Sequence, residues 1–490
     1  MAAIKAIRFS DRDNVAVALE KASRGDVIEF AGGRLELRDG LEAGFKAALC
    51  DIACGGAIFK YGEPIGRALR PIKAGERVHD DNIASALTGG LSIEPWSAPE
   101  PLKEEAAPPS FMGYRRKNGR VGIRSELWII PTVGCINGLL RNIVKNYRLP
   151  AGITAVRVLE HPWGCSQLGG DLDNARNLLT GLAHNPNAAG VLVAAMGCEN
   201  LQLSSMEKGL SDVENLRTVV MQDETDEEGA VLSRLDELAA AAVTERSLCE
   251  ASELVLAVKC GGSDALSSIT ANPLLGRVTD LYTAAGGSVI MGELPEMFGA
   301  ERGILARCAS PEVHAELAAM LRSFRDYFTG HGQPVFENPS PGNRAGGIST
   351  LEEKSLGAVS KSGRSIVTDV LRYGDTVRRK GLGIVFSPGN DLVSCTAMAA
   401  AGAVMVLFTT GRGTPFGTVV PTLKIATNAQ LAQRKKGWID FDASTVITSG
   451  MEESEAALTA KIASVANGEK TRSEEKDIAD ISIFKDGVIL

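Results

Sequence analysis

The sequence predicts an α/β protein in three parts: a small β-rich module followed by two α/β domains of Rossmann-like, parallel-sheet type. Three observations predict it. Short alternating runs broken by glycines fill residues 1–92. A stretch rich in Pro, Ala and Glu follows over 93–110, including Pro99, Pro101, Pro108 and Pro109, which suits an extended linker. From Phe111 onward, short apolar runs alternate with longer amphipathic ones, the signature of βαβ units.

Within the module, strands are expected over 26–30, 35–37 and 57–60, separated by Gly32-Gly33, Gly40, Gly55-Gly56 and Gly62. Beyond the linker, buried strands are expected over 127–133, 153–159, 191–196, 219–221, 254–258 and 288–291, with helices over 171–184 and 228–250. The Gly- and Pro-rich segment 334–347 divides a catalytic domain, 111–335, from a third domain, 336–490. There the expected elements are strands over 383–386 and 404–408 and a closing helix over 452–466. In such sheets the functional loops follow the carboxyl ends of the strands.

Composition narrows the function. At roughly 100–200 residues per domain, 490 residues accommodate about three domains; 44% hydrophobic and 23% charged residues describe a chain that buries a core. With 52 basic against 60 acidic residues, the net charge of −8 argues against nucleic acid or an anionic membrane as partner. No run of about 18 apolar residues occurs and residues 1–10 lack the pattern of an export signal, so a cytoplasmic location is expected. Nine cysteines are too few for a disulfide scaffold and read as core thiols, metal ligands or catalytic groups.

Position separates those cysteines. Cys135, Cys165 and Cys198 each follow a glycine at a strand end, and Cys260 opens Cys260-Gly261-Gly262-Ser263-Asp264 after another strand. Parallel strand ends converge on one edge, so these thiols are expected to share a metal or an iron–sulfur cluster. A single such cysteine is more often a small buried hydrophobe, which is how Cys50, Cys54, Cys249, Cys308 and Cys395 are read. His161, four residues before Cys165, is a candidate base or ligand, and Glu199, Asp264, Glu293 and Glu296 are strand-end carboxylates suited to proton transfer, to a cation or simply to helix capping. Residues 338–347 carry Asn343 and Arg344 in a stretch too rich in turn formers to be a regular element. The loop Gly411-Arg412-Gly413 is expected to wrap an anion. In the module His79 and Asp81 share a face if extended. No dinucleotide fingerprint, P-loop, HExxH or GxSxG motif is present, which counts against an NAD-dependent oxidoreductase and against nucleotide, zinc-protease and hydrolase chemistry.

Taken in order, Gly62-x-Pro64-Ile65-Gly66, His79-x-x-Asn82, Gly113-Tyr114-x-Arg116, Gly119 to Arg124, His161-Pro162-Trp163-Gly164-Cys165-Ser166-Gln167, Gly197-Cys198-Glu199, Lys259 to Asp264, Asn338 to Gly347 and Phe408 to Gly413 resemble the altronate/galactarate dehydratase family of sugar-acid hydro-lyases. The likeness spans nearly the whole chain, and the His-Pro-aromatic-Gly-Cys-Ser-Gln form is similar to the altronate branch. The resemblance implies an SAF-type module at the amino terminus, dependence on Fe2+ or Mn2+, a homo-oligomer, and dehydration of a small-molecule sugar acid such as D-altronate to a 2-keto-3-deoxy acid. It departs from the family at Phe45 and Asp81, where histidines are usual, and at Leu172, where another often follows. On this reading Lys46, His161 and Glu199 are catalytic, Ser263, Asp264, Asn343, Arg344 and Arg412 bind substrate, and His79, Asp81, Cys165, Cys198 and Cys260 hold metal. Galactarate as substrate, a sulfolactate sulfo-lyase-like reaction and a non-catalytic sugar-acid sensor are the other functions this pattern admits.

Overall fold

The computed structural model describes residues 3–87, 90–102, 107–335 and 337–490. The amino-terminal module is all β. One sheet runs in the order Gly33–Glu36, Val27–Phe30, Ile4–Ile7, Val15–Ala18, Lys46–Ala48, Arg77–Val78, and a second pairs Ala57–Lys60, Glu63–Ala68 and Ile83–Ala84. Glycine-rich turns at 25, 44, 55, 62 and 75 keep the strands to six residues or fewer. Two small cores fill the module, one around Ile58, Ile65 and Ile72 and one around Ile28, Leu37 and Leu41 with Ala16, Ala18 and Ala47 between the bulky groups.

The expected linker is an extended strap rather than a free tether. Trp96 donates from its indole to Cys308 O at 2.8 Å, and Leu91, Ile93 and Trp96 pack on the large core of the carboxyl-terminal domain. Residues 103–106 of the linker, and residue 336 at the expected domain boundary, lie outside the described residues.

The middle domain holds a four-stranded parallel sheet in the order Ala155–Val158, Glu126–Pro131, Ala188–Ala195, Leu216–Val220. Helices Asn137–Lys145, Gly169–Ala183 and Glu227–Ala241 connect its strands. The helix expected over 228–250 stops at Ala241, because residues 247–249 are drawn into an antiparallel sheet with Phe111–Arg115 and Val121–Gly122.

Seven parallel strands form the carboxyl-terminal sheet: Val367–Leu371, Gly381–Val385, Ser288–Met291, Val255–Cys260, Met405–Thr410, Thr422–Ala426 and Phe441–Asp442. This corrects the expected boundary at 335. Val255–Cys260 and Ser288–Met291 pair with strands from beyond residue 380, so the division falls near residue 250, and the Gly- and Pro-rich segment lies inside one domain. That segment is also not wholly irregular: Pro341–Ala345 is a short helix capped by the Ser340 hydroxyl. From Val255–Cys260 the chain fills one side of the sheet before Met405–Thr410 opens the other. The strand order therefore reverses between these two, the point where open α/β sheets form their ligand crevice.

Candidate active site

The crevice predicted by that reversal is present. Glycines 261 and 262 let the loop after Cys260 fold closely against the loop after Thr410: Gly411 N and Arg412 N donate to Gly262 O at 3.2 and 3.1 Å. A β-carbon on Gly261 would come within 2.5 Å of Phe408, and one on Gly411 within 2.2 Å of Asp264, so neither loop accommodates a side chain there. Above them opens a cleft of about 880 Å3 between the module and the carboxyl-terminal domain. Glu20, Glu42 and Phe45 line it from the module side, and Asp264, Arg412, Asn428, Gln430, Arg434 and Lys435 from the other.

Asp264 is half-buried at the floor of this cleft. Its carboxylate accepts bonds from Ser267 N at 2.9 Å, Thr427 Oγ1 at 3.0 Å and Asn428 Nδ2 at 3.1 Å. Burial pushes its pKa above the usual carboxylate range against the pull of those donors. On its inner side lies a second space of about 10 Å3, room for one water, bordered by Tyr61, Ser267, Glu353 and Lys354.

Behind that inner space the module docks through charge. Lys46 Nζ lies 2.8 Å from Glu353 Oε2 and 2.7 Å from Ser349 Oγ, while Lys60 Nζ lies 2.8 Å from Glu353 Oε1. Both lysines and the glutamate are buried. Burial lowers the Lys46 pKa more than Glu353 restores it. Burial alone would raise Glu353, but the two ammonium groups hold it near 2. His79 Nδ1 sits 3.1 Å from Ser349 Oγ, and burial, then Lys46, lowers its pKa, so the ring is neutral at pH 7.

One helix links this pair to a third cluster. Leu351–Val359 presents Glu353 to the module and Lys354 to Glu296 at 2.9 Å. Beyond Lys354 the cluster continues through Lys361, which reaches Glu293 at 2.9 Å and Cys260 Sγ at 3.2 Å, and Lys259, which reaches Glu293 at 2.5 Å and Asp391 at 2.7 Å. The Cys260 thiol faces Glu296 at 3.1 Å, and burial together with the two glutamates pushes it up to about 12.

By distance alone, Cys260, Glu293 and Glu296 suit one metal ion, their ligand atoms lying within 4.8 Å of one another. Charge says otherwise. Three carboxylates, Glu293, Glu296 and Asp391, already face three ammonium groups, Lys259, Lys354 and Lys361, and Lys361 occupies the approach to the sulfur. A divalent cation would enter against that ammonium at close range in a low-dielectric interior, so this donor set does not fit Fe2+ or Mn2+.

The remaining expected residues separate into groups. Arg412 is exposed on the cleft wall. Asn343 donates to Ser263 O at 2.8 Å and accepts from Lys354 at 3.1 Å, so Asn343 and Ser263 brace the wall rather than face the cleft. Arg344 reaches back to Pro339 O at 3.3 Å. Asp81 points outward to Arg77 at 3.2 Å and does not join His79, whose neighbouring carboxylate is Asp80 at 3.6 Å. Phe45 stacks beside His79 with ring centroids 5.0 Å apart, and Leu172 is packed into the core. His161 has both nitrogens engaged in its own turn: Nε2 with Pro131 O at 2.8 Å and Nδ1 with Trp163 N at 3.2 Å. Burial lowers its pKa to about 4. Glu199 likewise staples its loop, accepting from Met196 N, Gly197 N and the Thr132 hydroxyl. Cys165 and Cys198 are exposed on the middle domain, whereas Cys260 is buried in the other sheet. Lys60 belongs to the polar segment Lys60-Tyr61-Gly62 that the sequence offers in the module, whereas Glu353, Lys354 and Lys361 lie in helical stretches with no motif; the buried Glu353 and Lys361 are held where no charged residue is tolerated unpaired.

A β module clamped over the switch point of a parallel α/β sheet, with a cleft lined by both acids and cations and a half-buried acid at its floor, defines an enzyme for small polar substrates. Three family models cover nearly the whole chain: the altronate/galactarate dehydratase SAF domain over residues 4–86, the D-galactarate dehydratase/altronate hydrolase second domain over 113–243, and the D-galactarate/altronate dehydratase C-terminal domain over 251–489. The chain is 45% identical over 497 residues to the altronate dehydratase of Bacillus subtilis (strain 168), which spans 99% of both chains. It is 44% identical over 492 residues to the altronate dehydratase of Escherichia coli (strain K12), again 99% of both. The galactarate dehydratase (L-threo-forming) of the latter organism is 34% identical over 514 residues, 95% of this chain and 93% of that one. The chain belongs to the altronate/galactarate dehydratase family and is a hydro-lyase.

Proposed function

We propose that the protein dehydrates a hexonate of the altronate type to its 2-keto-3-deoxy acid in the cleft between the module and the carboxyl-terminal domain. One observation carries this reading: Asp264, its pKa raised by burial, forms the floor of a cleft whose wall holds Arg412. The cleft volume suits a six-carbon polyhydroxy acid, its cations match the carboxylate, and Asn428 and Gln430 offer amides to hydroxyls.

In this scheme Arg412 holds the substrate carboxylate and stabilises the negative charge that spreads onto it when the C2 proton leaves. Asp264 takes that proton. It then returns it to the C3 hydroxyl, the C3–O bond breaks, and water departs as the C2–C3 double bond forms. The resulting enol tautomerises to the 2-keto acid. A carboxyl group whose pKa burial raises is a stronger base than a free carboxylate, and the proton it takes from C2 is the one it passes to the leaving hydroxyl. Substrate preference for altronate rests on the identity to altronate dehydratases over 99% of the chain. The free state of all nine cysteines supports a reducing compartment, and we place the enzyme in the cytoplasm.

The test is a panel of hexonates and hexarates assayed for 2-keto-3-deoxy acid. D-altronate is expected to be turned over fastest, with Asp264→Asn inactive but still binding it. Turnover confined to hexarates would overturn the substrate, and undiminished turnover by D264N would overturn the role of Asp264.

A further inference from the structure

Three cysteines of the middle domain take no part in the scheme above. Residues 113–243 contain just Cys135, Cys165 and Cys198, and each directly follows a glycine. All three sit in the loops after the carboxyl ends of Glu126–Pro131, Ala155–Val158 and Ala188–Ala195, three strands side by side in one parallel sheet.

Each Gly-Cys pair is built into place. A β-carbon on Gly134 would lie 2.8 Å from His161 O, and one on Gly164 would lie 1.8 Å from Thr132 O. Gly164 and Gly197 also adopt φ of +103° and +121°, conformations that L side chains rarely take. Backbone bonds tie the three loops together: Gly134 N to Trp163 O at 2.9 Å, Leu201 N to Gly164 O at 2.9 Å, and Ser166 N to the Asn200 side chain at 2.7 Å. The neutral His161 and the Glu199 carboxylate, both buried, fix the same loops from within.

All three thiols are exposed, as are Cys50 and Cys54 of the module, which the sequence led us to expect in the core, whereas Cys249, Cys260, Cys308 and Cys395 are buried. Exposed free thiols are an unusual use of a residue that is ordinarily among the most buried. The donor set narrows the ligand: three thiols on loops bonded to one another are soft sulfur donors of the kind an iron–sulfur cluster draws on.

We propose that Cys135, Cys165 and Cys198 bind an iron–sulfur cluster at the carboxyl edge of the middle sheet, leaving one iron without a protein ligand and open to an oxygen donor. This site is separate from the Cys260 cluster and independent of the Asp264 scheme.

The test is anaerobic reconstitution of the whole protein with ferrous iron and sulfide, followed by metal and acid-labile sulfide analysis and electron paramagnetic resonance of the reduced sample. The expected result is about four irons and four sulfides per chain for a cubane cluster, with the content falling at least several-fold in each of C135S, C165S and C198S. C249S, a thiol outside the three loops, should retain it. Because the three side chains are exposed, their serine variants should keep the wild-type thermal midpoint, which separates loss of ligand from loss of fold. Iron bound without sulfide, a disulfide between two of these cysteines in the anaerobic protein, or equal cluster content in all four variants would overturn the proposal.

Discussion

Lys46 of the amino-terminal module and Glu353 of the carboxyl-terminal domain lie 307 residues apart in the chain and 2.8 Å apart in space. With Lys60 on the other oxygen, the glutamate is the buried anchor on which the module docks. Removing its charge leaves two enclosed ammonium groups without a carboxylate to balance them, which costs about 3–5 kcal/mol. E353Q is therefore expected to lower the unfolding free energy by that amount in urea titrations. The triple variant K46M/K60M/E353L should recover most of it, and equal losses in both variants would show that packing, not charge pairing, governs the junction.

Arg412 stands exposed on the cleft wall, held in its loop by its backbone bond to Gly262. A hydrogen bond to a charged group is worth about 1.5–3 kcal/mol, so R412A should raise KM for a hexonate by roughly tenfold or more with the thermal midpoint unchanged. R412K should fall between, since a point charge lacks the fork. An unaltered KM in R412A would remove Arg412 from carboxylate recognition.

His161 gives the chain a distinct acid limb. Unfolded imidazole binds a proton near pH 6.5, whereas burial delays the folded ring to about 4. Between these values the unfolded state carries more protons, so stability falls as pH drops through the window, by up to about 3 kcal/mol, and is unaffected above about pH 7. Comparing denaturant unfolding of wild type and H161Q at pH 7, 5.5 and 4 should show a shallower loss in the variant; parallel curves would refute the assignment.

Gly164 accepts no side chain. Its φ of +103° and the 1.8 Å approach to Thr132 O predict that G164A loses about 3 kcal/mol or more and disturbs the loop carrying Cys165. Thermal denaturation checks this, and a midpoint within about one degree of wild type, about 1 kcal/mol for a chain of this size, would contradict it.

The sheets were legible in sequence because parallel strands are buried on both faces and write themselves as apolar runs, such as 288–291, which matches Ser288–Met291 residue for residue. Thr422–Ala426 was not, since its Thr and Lys interrupt the run; Lys424 instead bonds the Pro415 carbonyl. The boundary near 250 was hidden because it falls in an ordinary loop, while the proline-rich 338–347 advertises a break that serves as a wall of the site. Strand-end chemistry named Asp264 and Arg412 as substrate binders, and both line one crevice. It also grouped Cys260 with Cys165 and Cys198, because a one-dimensional pattern does not distinguish the edges of two separate sheets. Glu353 and Lys361 carried no signal at all: on a helix, a residue that pairs with a partner hundreds of positions away looks like any solvated charge.

The most direct test of the proposed reaction is proton exchange at C2 of D-altronate, followed by nuclear magnetic resonance in deuterated water. The wild-type enzyme should consume the C2-deuterated substrate more slowly than the protonated one, and Asp264→Asn should show neither turnover nor deuterium entry at C2 while still binding the sugar acid. Exchange at C2 that proceeds at the wild-type rate in the variant would mean that another group removes the proton and that the acid at the floor of the cleft is a structural residue.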